Sequence, residues 1–474
     1  MVSREKGVII FNKRRSMQLK TKKYLPPYHL AGIGGAGMRG LAWILKDKGE
    51  DVQGSDTGQS IYLKALQGEG IKIFSQHRRE NLNNVRTLIY SSAIEESNPE
   101  RKEARERGLP QVSRGEFLAQ LGKTKKEIVI AGTHGKTTTT ALLSFLFRES
   151  GISSSYFIGG EIRGEEKNAS WDGKELFITE SDESDGSFLY LSPFISIITN
   201  IDNDHLNFYK NMQTLIHAFK KFREKTSPEG CSLFCLHHPY VKEMLPQNLT
   251  PSFITYGIDK GVLQAEALQE EKEGTSFRIK MGSHTIKKFF LPLHGRYNVL
   301  NALPSIYLGL KFGIPEKTIR EIISAFPGVK RRMEFKGKIR DISIYDDYAH
   351  HPTEISETLK ALRKRFPGQI RAVFQPHRYS RTISLSEDLA QSLSLADEVV
   401  LLPIYAAGEN PVPGVDTDII REILQHKGTP VYYYKSQEEV ISYLNQSMKS
   451  EETIVTLGAG DISQIGEKLL SLTR

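Results

Sequence analysis

Along this chain, short unbroken apolar runs alternate with longer stretches in which apolar positions recur every three or four residues, as expected for strands alternating with amphipathic helices. The first complete case is the run at 28–31, the turn Gly32-Ile33-Gly34-Gly35-Ala36-Gly37, and a helical stretch through Met38, Leu41, Ala42 and Leu45. The same grammar returns after the charged stretch 123–126, with a strand at 127–131, a turn at 132–136 and a helix at 137–148. A third block opens after Pro327-Gly328, with strands expected at 342–346, 370–375, 399–403, 431–434 and 454–457 and helices between them. Such alternation predicts parallel sheets covered on both faces, hence an α/β fold. We expect domains at 28–122, 123–327 and 328–474, preceded by a disordered extension at 1–27.

Composition agrees with this outline. A length of 474 residues suits about three domains, and 39% hydrophobic with 25% charged residues is ordinary for a globular chain. Only Cys231 and Cys235 are present, too few for a disulfide-stapled scaffold, which favours a reducing compartment. With no long apolar span and no signal-peptide core before Tyr24, the expected setting is the cytoplasm, away from membranes. The net charge is +8, yet residues 1–28 hold eight Lys or Arg against the single acid Glu5. The rest of the chain is nearly neutral, so nucleic acid is not an expected partner.

Two glycine loops carry the candidate chemistry. Gly32, Gly34 and Gly37 satisfy G-x-G-x-x-G, and Asp56 lies where a ribose-binding acid is expected in a dinucleotide fold. Physically, the loop lets backbone N–H groups and a helix N-terminus approach any diphosphate, whether of NAD, FAD or a nucleotide sugar. The second loop, Gly132-Thr133-His134-Gly135-Lys136-Thr137-Thr138, follows a strand and opens a helix. Its amides suit the phosphates of ATP, Lys136 the β/γ oxygens and Thr137 a Mg²⁺ ion. It is a shortened phosphate loop, because Ile130 stands where the general pattern has its first glycine.

Acids follow two further strands. The run 176–179 leads into Glu180, Asp182, Glu183 and Asp185, which can hold Mg²⁺ beside the phosphate loop or form a solvated acidic turn. The run 194–199 delivers Asp202, Asp204 and His205, and His205 is read as a candidate for a second metal. Cys231, Cys235, His237 and His238 match no common zinc spacing, so ordinary buried cysteines are expected there.

Taken together, these blocks resemble the Mur ligases, ATP-dependent amide-forming enzymes of peptidoglycan precursor synthesis. The resemblance rests on HLAGIGGAGMRGLA at 29–42, AGTHGKTTTTALL at 131–143, ESDESDGSF at 180–188 and TNIDNDHLNFY at 199–209. It continues through GRYNVLNAL at 295–303, VKRRMEF at 329–335, DDYAHHPTE at 346–354, FQPHRYSRT at 374–382 and LGAGDI at 457–462. It implies an N-terminal Rossmann-like domain for a UDP-sugar, a central P-loop ATPase-like domain with a mostly parallel sheet, and a C-terminal Rossmann-like domain.

The resemblance also implies roles. Lys136, His205 and Arg378 would be catalytic, and Thr137, Glu180 and His205 would serve two Mg²⁺ ions. ATP would be held by residues 132–138 with Asn298 and Asn301 near adenine, Arg332 reaching the nucleotide and Asp346 at the ribose. Gly32, Gly34, Gly35, Gly37, Met38 and Asp56 would take the UDP-sugar. Tyr348, His350, His377, Arg378 and Arg381 would face the lactoyl group and the incoming amino acid. Of the neighbouring pair His350 and His351, one is expected to contact substrate while the other packs or caps. The implied substrates are UDP-N-acetylmuramate and L-alanine, because the loop GIGG-x-GM is kept where a tripeptide-recycling relative usually departs from it.

That chemistry explains the residue types. A carboxylate must be activated before an amine will attack it, and bringing it to a polyphosphate requires converging cations to offset charge in the transition state. The planar fork of an arginine suits the carboxylate of an amino acid. Two other classes compete: a nicotinamide oxidoreductase, to which the phosphate loop and its acids would be useless, and a nucleotide-driven switch that makes no bond.

Overall fold

The structure, a computed structural model, describes residues 23–58, 61–204, 206–245, 250, 252–282 and 284–472. It divides into two compact units. The first comprises Met1–Leu268, Ser276–Leu291 and Val299–Pro327, and the second Gln269–Thr275, Pro292–Asn298 and Gly328–Arg474.

The first unit holds two sheets. In the N-terminal one, β1 (Tyr28–Ala31), β2 (Val52–Ser55), β3 (Lys72–Phe74), β4 (Thr87–Tyr90) and β5 (Gln111–Ser113) lie in the order β3-β2-β1-β4-β5, all parallel. The order reverses between β1 and β4, so the glycine turn after β1 opens onto the crevice where such sheets bind ligands. Its core joins Leu30, Ile33, Leu41, Ile44 and Leu45 to Phe117 and Leu118.

The larger sheet is built from β6 (Lys126–Ala131), β7 (Ser154–Phe157), β8 (Ala169–Ser170), β9 (Leu176–Glu180), β10 (Ile195–Ile198) and β11 (Cys231–Cys235). It continues with β12 (Phe253–Ile258), β13 (Leu263–Glu271), β14 (Gly274–Met281) and β15 (His284–Leu291), in the order β15-β14-β13-β12-β11-β10-β6-β9-β7-β8. The central strands β9, β6, β10 and β11 run parallel and are almost wholly apolar, because helices cover both faces. This in-register set brings the ends of β9, β6 and β10 side by side.

In the second unit, β16 (Glu334–Ile339), β17 (Ile342–Asp347), β18 (Ile370–Phe374), β19 (Glu398–Leu401), β20 (Val431–Tyr433) and β21 (Thr453–Leu457) form a sheet in the order β16-β17-β21-β18-β19-β20. Only the edge strand β16 is antiparallel. All five strands expected from the third block are present, within a residue or two of the ends read from the pattern.

One expectation changes. Residues 1–22 lie outside the described residues, but 23–27, expected to belong to a disordered extension, pack against the N-terminal sheet. Tyr24 is buried beside Phe117 and donates its hydroxyl to Glu116 Oε1 at 2.7 Å, while Lys23 Nζ reaches the same oxygen at 2.8 Å. An amphipathic tyrosine in a charged stretch gains enough by burying its ring to order its neighbours. Among the described residues no helix is long and apolar enough to cross a membrane.

Candidate active site

The shortened phosphate loop leaves β6 with Gly132 at φ +138° and enters the helix Lys136–Glu149 through Gly135 at φ +82°. Both conformations are costly for a residue with a Cβ. A Cβ at Gly135 would also run into Asn301 Oδ1, and one at Gly132 into Thr199 Oγ1. The first helical turn has no side-chain cap and no acid, so its N–H groups are left for an anion. The loop is held from β10: His134 N–H donates to Asn200 Oδ1 at 2.8 Å, Asn200 Nδ2 and Thr199 Oγ1 donate to His134 O at 2.9 and 2.7 Å, and Asp202 N–H donates to Thr133 Oγ1 at 2.9 Å.

Lys136 is turned back over this loop. Its ammonium donates to Gly132 O at 2.5 Å, Thr133 O at 3.1 Å and both oxygens of Glu183 at 2.8 Å. Burial pushes the Glu183 carboxyl up to about 7 against the pull of Lys136. Burial opposes the charge on Lys136, but Glu183 outweighs it and raises the ammonium. Glu180 ends β9 next to this pair, and the absence of a Cβ at Gly159 leaves room for its carboxylate. Thr137 and Glu180 are hard oxygen donors of the kind Mg²⁺ prefers, so this corner fits that ion. His205, the other expected metal residue, lies outside the described residues.

Two arginines without a local sequence signal, Arg114 and Arg39, join the N-terminal part of the first unit to its central part. Arg114 crosses Gly37 so closely that a Cβ there would displace it, and donates to Asp182 Oδ2 at 2.9 Å. Burial works to raise Asp182, yet Arg114 and the Ser184 hydrogen bonds hold it at about 2. Arg39 pairs with Glu161 at 3.0 Å. The expected substrate loop is intact: Gly32 has φ +80°, Met38 is buried, and the helix Ala36–Asp47 starts at Gly35 without a side-chain cap or an acid in its first turn. Asp56 closes on this loop, accepting N–H bonds from Gly34 and Gly58 at 2.8 Å each. Behind it, Glu100 is fully buried and holds His29 Nε2 at 3.1 Å, His77 Nδ1 at 2.9 Å and Ser55 Oγ at 2.7 Å.

In the second unit the expected residues gather at the carboxyl edge of the sheet. Tyr348 and His350 follow β17, and His377, Arg378 and Arg381 follow β18. Rings of Tyr348 and His350, His350 and His377, and His377 and Tyr405 succeed one another at 5.4, 5.6 and 5.7 Å. Arg381 Nη1 lies 3.1 Å from His377 Nδ1, and among the described residues the buried Arg378 Nε has no hydrogen-bond partner. A carboxylate is the natural complement to that N–H. Of the histidine pair, His351 caps the helix Pro352–Arg365 through Thr353 N–H.

Three residues expected at the nucleotide sit differently from one another. Asn298 Nδ2 donates to His294 O at 2.8 Å, and Arg332 lies 3.6 Å from Glu354 and 5.1 Å from the Tyr348 ring. Asp346 is fully buried, and its two oxygens accept from Thr456 Oγ1 at 2.7 Å and Arg331 Nε at 3.1 Å. Arg331 in turn donates to Gly458 O and Gly460 O at 2.6 and 3.0 Å. The adjacent arginine, unremarked in the sequence, is therefore a strut of the sheet edge.

Known proteins place this geometry in a lineage. Three family models match in succession: the Mur ligase family catalytic domain over residues 27–126, the Mur ligase middle domain over 130–309, and the Mur ligase glutamate ligase domain over 331–460. Proteins named UDP-N-acetylmuramate–L-alanine ligase from Desulfatibacillum aliphaticivorans and Carboxydothermus hydrogenoformans are each 40% identical, over 95% and 96% of this chain and 99% and 98% of theirs. The solved UDP-N-acetylmuramate-alanine ligase of Thermotoga maritima superposes with a TM-score of 0.80 at 28% identity, covering 94% of this chain and 98% of that one. A murein peptide ligase from Psychrobacter arcticus shares the fold, with a TM-score of 0.72 at 23% identity and coverage of 94% and 98%. Since the likeness runs through every sheet described above and from one end of those relatives to the other, the chain belongs to the Mur ligase family.

Proposed function

We propose that this chain joins L-alanine to the lactoyl carboxylate of UDP-N-acetylmuramate, converting ATP to ADP and phosphate, in cytoplasmic peptidoglycan precursor synthesis. The observation that carries the reading is the placing of Lys136, Glu180 and the glycine loop at the ends of the adjacent strands β6 and β9, in a chain aligned nearly end to end with alanine ligases. A hydride-transfer enzyme would have no use for that corner. The recycling alternative is not favoured, because its solved relative shares the fold at lower identity than the alanine ligases.

In this reading the γ-phosphoryl group passes from ATP to the lactoyl carboxylate, giving an acyl phosphate. The amine of alanine attacks its carbonyl, and phosphate leaves from the tetrahedral intermediate. The amides of 132–138 and the helix N-terminus hold the polyphosphate, and Lys136 exchanges Glu183 and two loop carbonyls for phosphate oxygens. Thr137 and Glu180 would hold one Mg²⁺ and His205 would stand at or near a second. When bound, the metal offsets negative charge on the phosphates.

Asn298, Asn301, Arg332 and Asp346 are assigned to the nucleotide, Asp346 to its ribose with Arg331 bracing the carboxylate. Gly32, Gly34, Gly35, Gly37, Met38 and Asp56 are assigned to the UDP-sugar. Arg378 takes the carboxylate of alanine by a bidentate contact, with Arg381, His377, His350 and Tyr348 around it. On this reading residues 28–122 take the UDP-sugar, 123–327 take ATP, and 328–474 contact the amino acid and the nucleotide. The test is phosphate release with UDP-N-acetylmuramate, alanine or ATP omitted one at a time, with mass identification of the product. Release that needs all three and yields the alanyl amide supports the assignment; release with alanine omitted, or no ligated product, refutes it.

A further inference from the structure

One backbone conformation at the carboxyl edge of the second unit is foreign to its residue. Arg378 has φ +73° and ψ 139°, a region that a side chain with a Cβ occupies only where its surroundings over-determine it. They do so here. Arg378 N–H donates to Tyr405 O at 2.8 Å, and its carbonyl accepts from Thr382 N–H at 3.1 Å and Thr382 Oγ1 at 2.8 Å. Tyr405 N–H donates to Pro376 O at 2.8 Å, and its ring lies parallel to that of His377, 11° between planes.

The helix Tyr379–Leu393 begins at the same point. Arg378 is its N-cap residue but supplies no side-chain cap. Instead Glu409, from the loop after β19, accepts Ser380 N–H at 3.0 Å and Ser380 Oγ–H at 2.6 Å. A carboxylate in this position satisfies an open N–H and complements the helix dipole. The cap is thus delivered by the same short segment that ties down Arg378.

We propose that Tyr405 and Glu409 are positioning residues, a clamp that holds Arg378 in its left-handed conformation and so aims its guanidinium at the carboxylate of the incoming amino acid. Neither residue needs to touch substrate. The inference rests on the reading that Arg378 binds that carboxylate. A bidentate contact is sensitive to orientation, and misplacement by about 1 Å can cost on the order of 100-fold. Releasing the clamp lets the backbone of Arg378 relax to negative φ and carries the side chain out of line.

The test is steady-state kinetics on the full chain with each substrate varied. Glu409→Gln should lower kcat/KM for alanine about tenfold and leave KM for ATP and UDP-N-acetylmuramate within about twofold. Ser380→Ala, a milder change at the other end of the same bonds, should shift alanine alone in the same direction. Arg378→Gly accepts the backbone conformation freely but has no guanidinium. It should melt no lower than the parent, and adding Glu409→Gln to it should not depress alanine kcat/KM further, since nothing remains to be aimed. Additive losses in that background, or equal losses for all three substrates, would overturn the clamp. If Arg378→Gly weakens alanine use but Glu409→Gln and Ser380→Ala do not, the clamp falls while the assignment of Arg378 stands. An unchanged alanine dependence in Arg378→Gly removes that assignment itself.

Discussion

Lys136 and Glu183 form a buried pair, the ammonium 2.8 Å from each carboxylate oxygen, inside the loop that has to receive a polyphosphate. A nucleotide therefore exchanges one anion for another at Lys136 and leaves Glu183 behind. Lys136→Ala should abolish ATP-dependent product formation and also strand Glu183 without its cation. Breaking such a pair costs about 3 kcal/mol or more while the survivor stays charged. Because burial already lifts Glu183 to about 7, the loss should be smaller at pH 6, where it is protonated, than at pH 8. Adding Glu183→Ala should recover stability but not turnover. Urea denaturation at both pH values, beside the phosphate-release assay, checks this; equal destabilisation at the two would contradict it.

Gly135→Ala meets two separate obstacles. The φ of +82° costs about 1–3 kcal/mol for alanine, and the new methyl runs into Asn301 Oδ1. Asn301→Gly in the same chain removes the collision but not the backbone strain. We expect the double variant to regain only part of the stability that Gly135→Ala loses, measured by chemical denaturation, and full recovery would mean that the backbone is not strained.

Glu127 gives a pH signature far from the chemistry. It is buried at the start of β6, with Ser192 N–H on Oε2 at 3.1 Å, and burial pushes its carboxyl up to about 7 from the ordinary 4.5. The folded protein therefore binds a proton that the unfolded chain has released. Stability should fall as pH rises from about 4.5 to about 7, by about 3 kcal/mol from this group, and level off above. Glu127→Gln should be the more stable protein at pH 8 and should flatten that slope in urea titrations. A slope the same in both proteins would refute the assignment.

The His77–Glu100 pair has the opposite sign. The hydrogen bond that His77 donates to the Glu100 carboxylate raises the imidazole above 6.5, so its stabilisation is complete below that value and fades as pH rises through the folded value. Hydrogen exchange in β1 and β2 should be faster at pH 9 than at pH 6 after correction for intrinsic rates, and Glu100→Gln should erase the difference. Exchange that does not distinguish the two proteins would rule the pair out as the source.

Much of this was written plainly in the chain. Apolar runs at β1, β6, β9, β10 and the parallel strands of the second unit are continuous because helices cover both faces, and glycine loops advertise themselves by composition. What escaped notice depended on distance in sequence. Arg114 and Asp182 are 68 residues apart, and Arg331 reaches Gly458 across 127, separations at which no local pattern records a partner. Arg378 shows a subtler gap: its residue type announced a ligand, but its strained backbone could not be read from an arginine codon that nothing local favours in that conformation. Asp346 shows the same limit: of the groups that enclose its carboxylate, Thr456 lies 110 residues away in the chain.

Cys231 and Cys235 are the two end residues of β11, both buried, and burial raises both thiols, Cys235 to about 11. Thiolate, the form that alkylating reagents attack, is scarce in both. A single cysteine placed on the surface can thus be coupled to a fluorophore without deleting either native one. The chain comes ready for optical probes that follow the arrival of its substrates in real time.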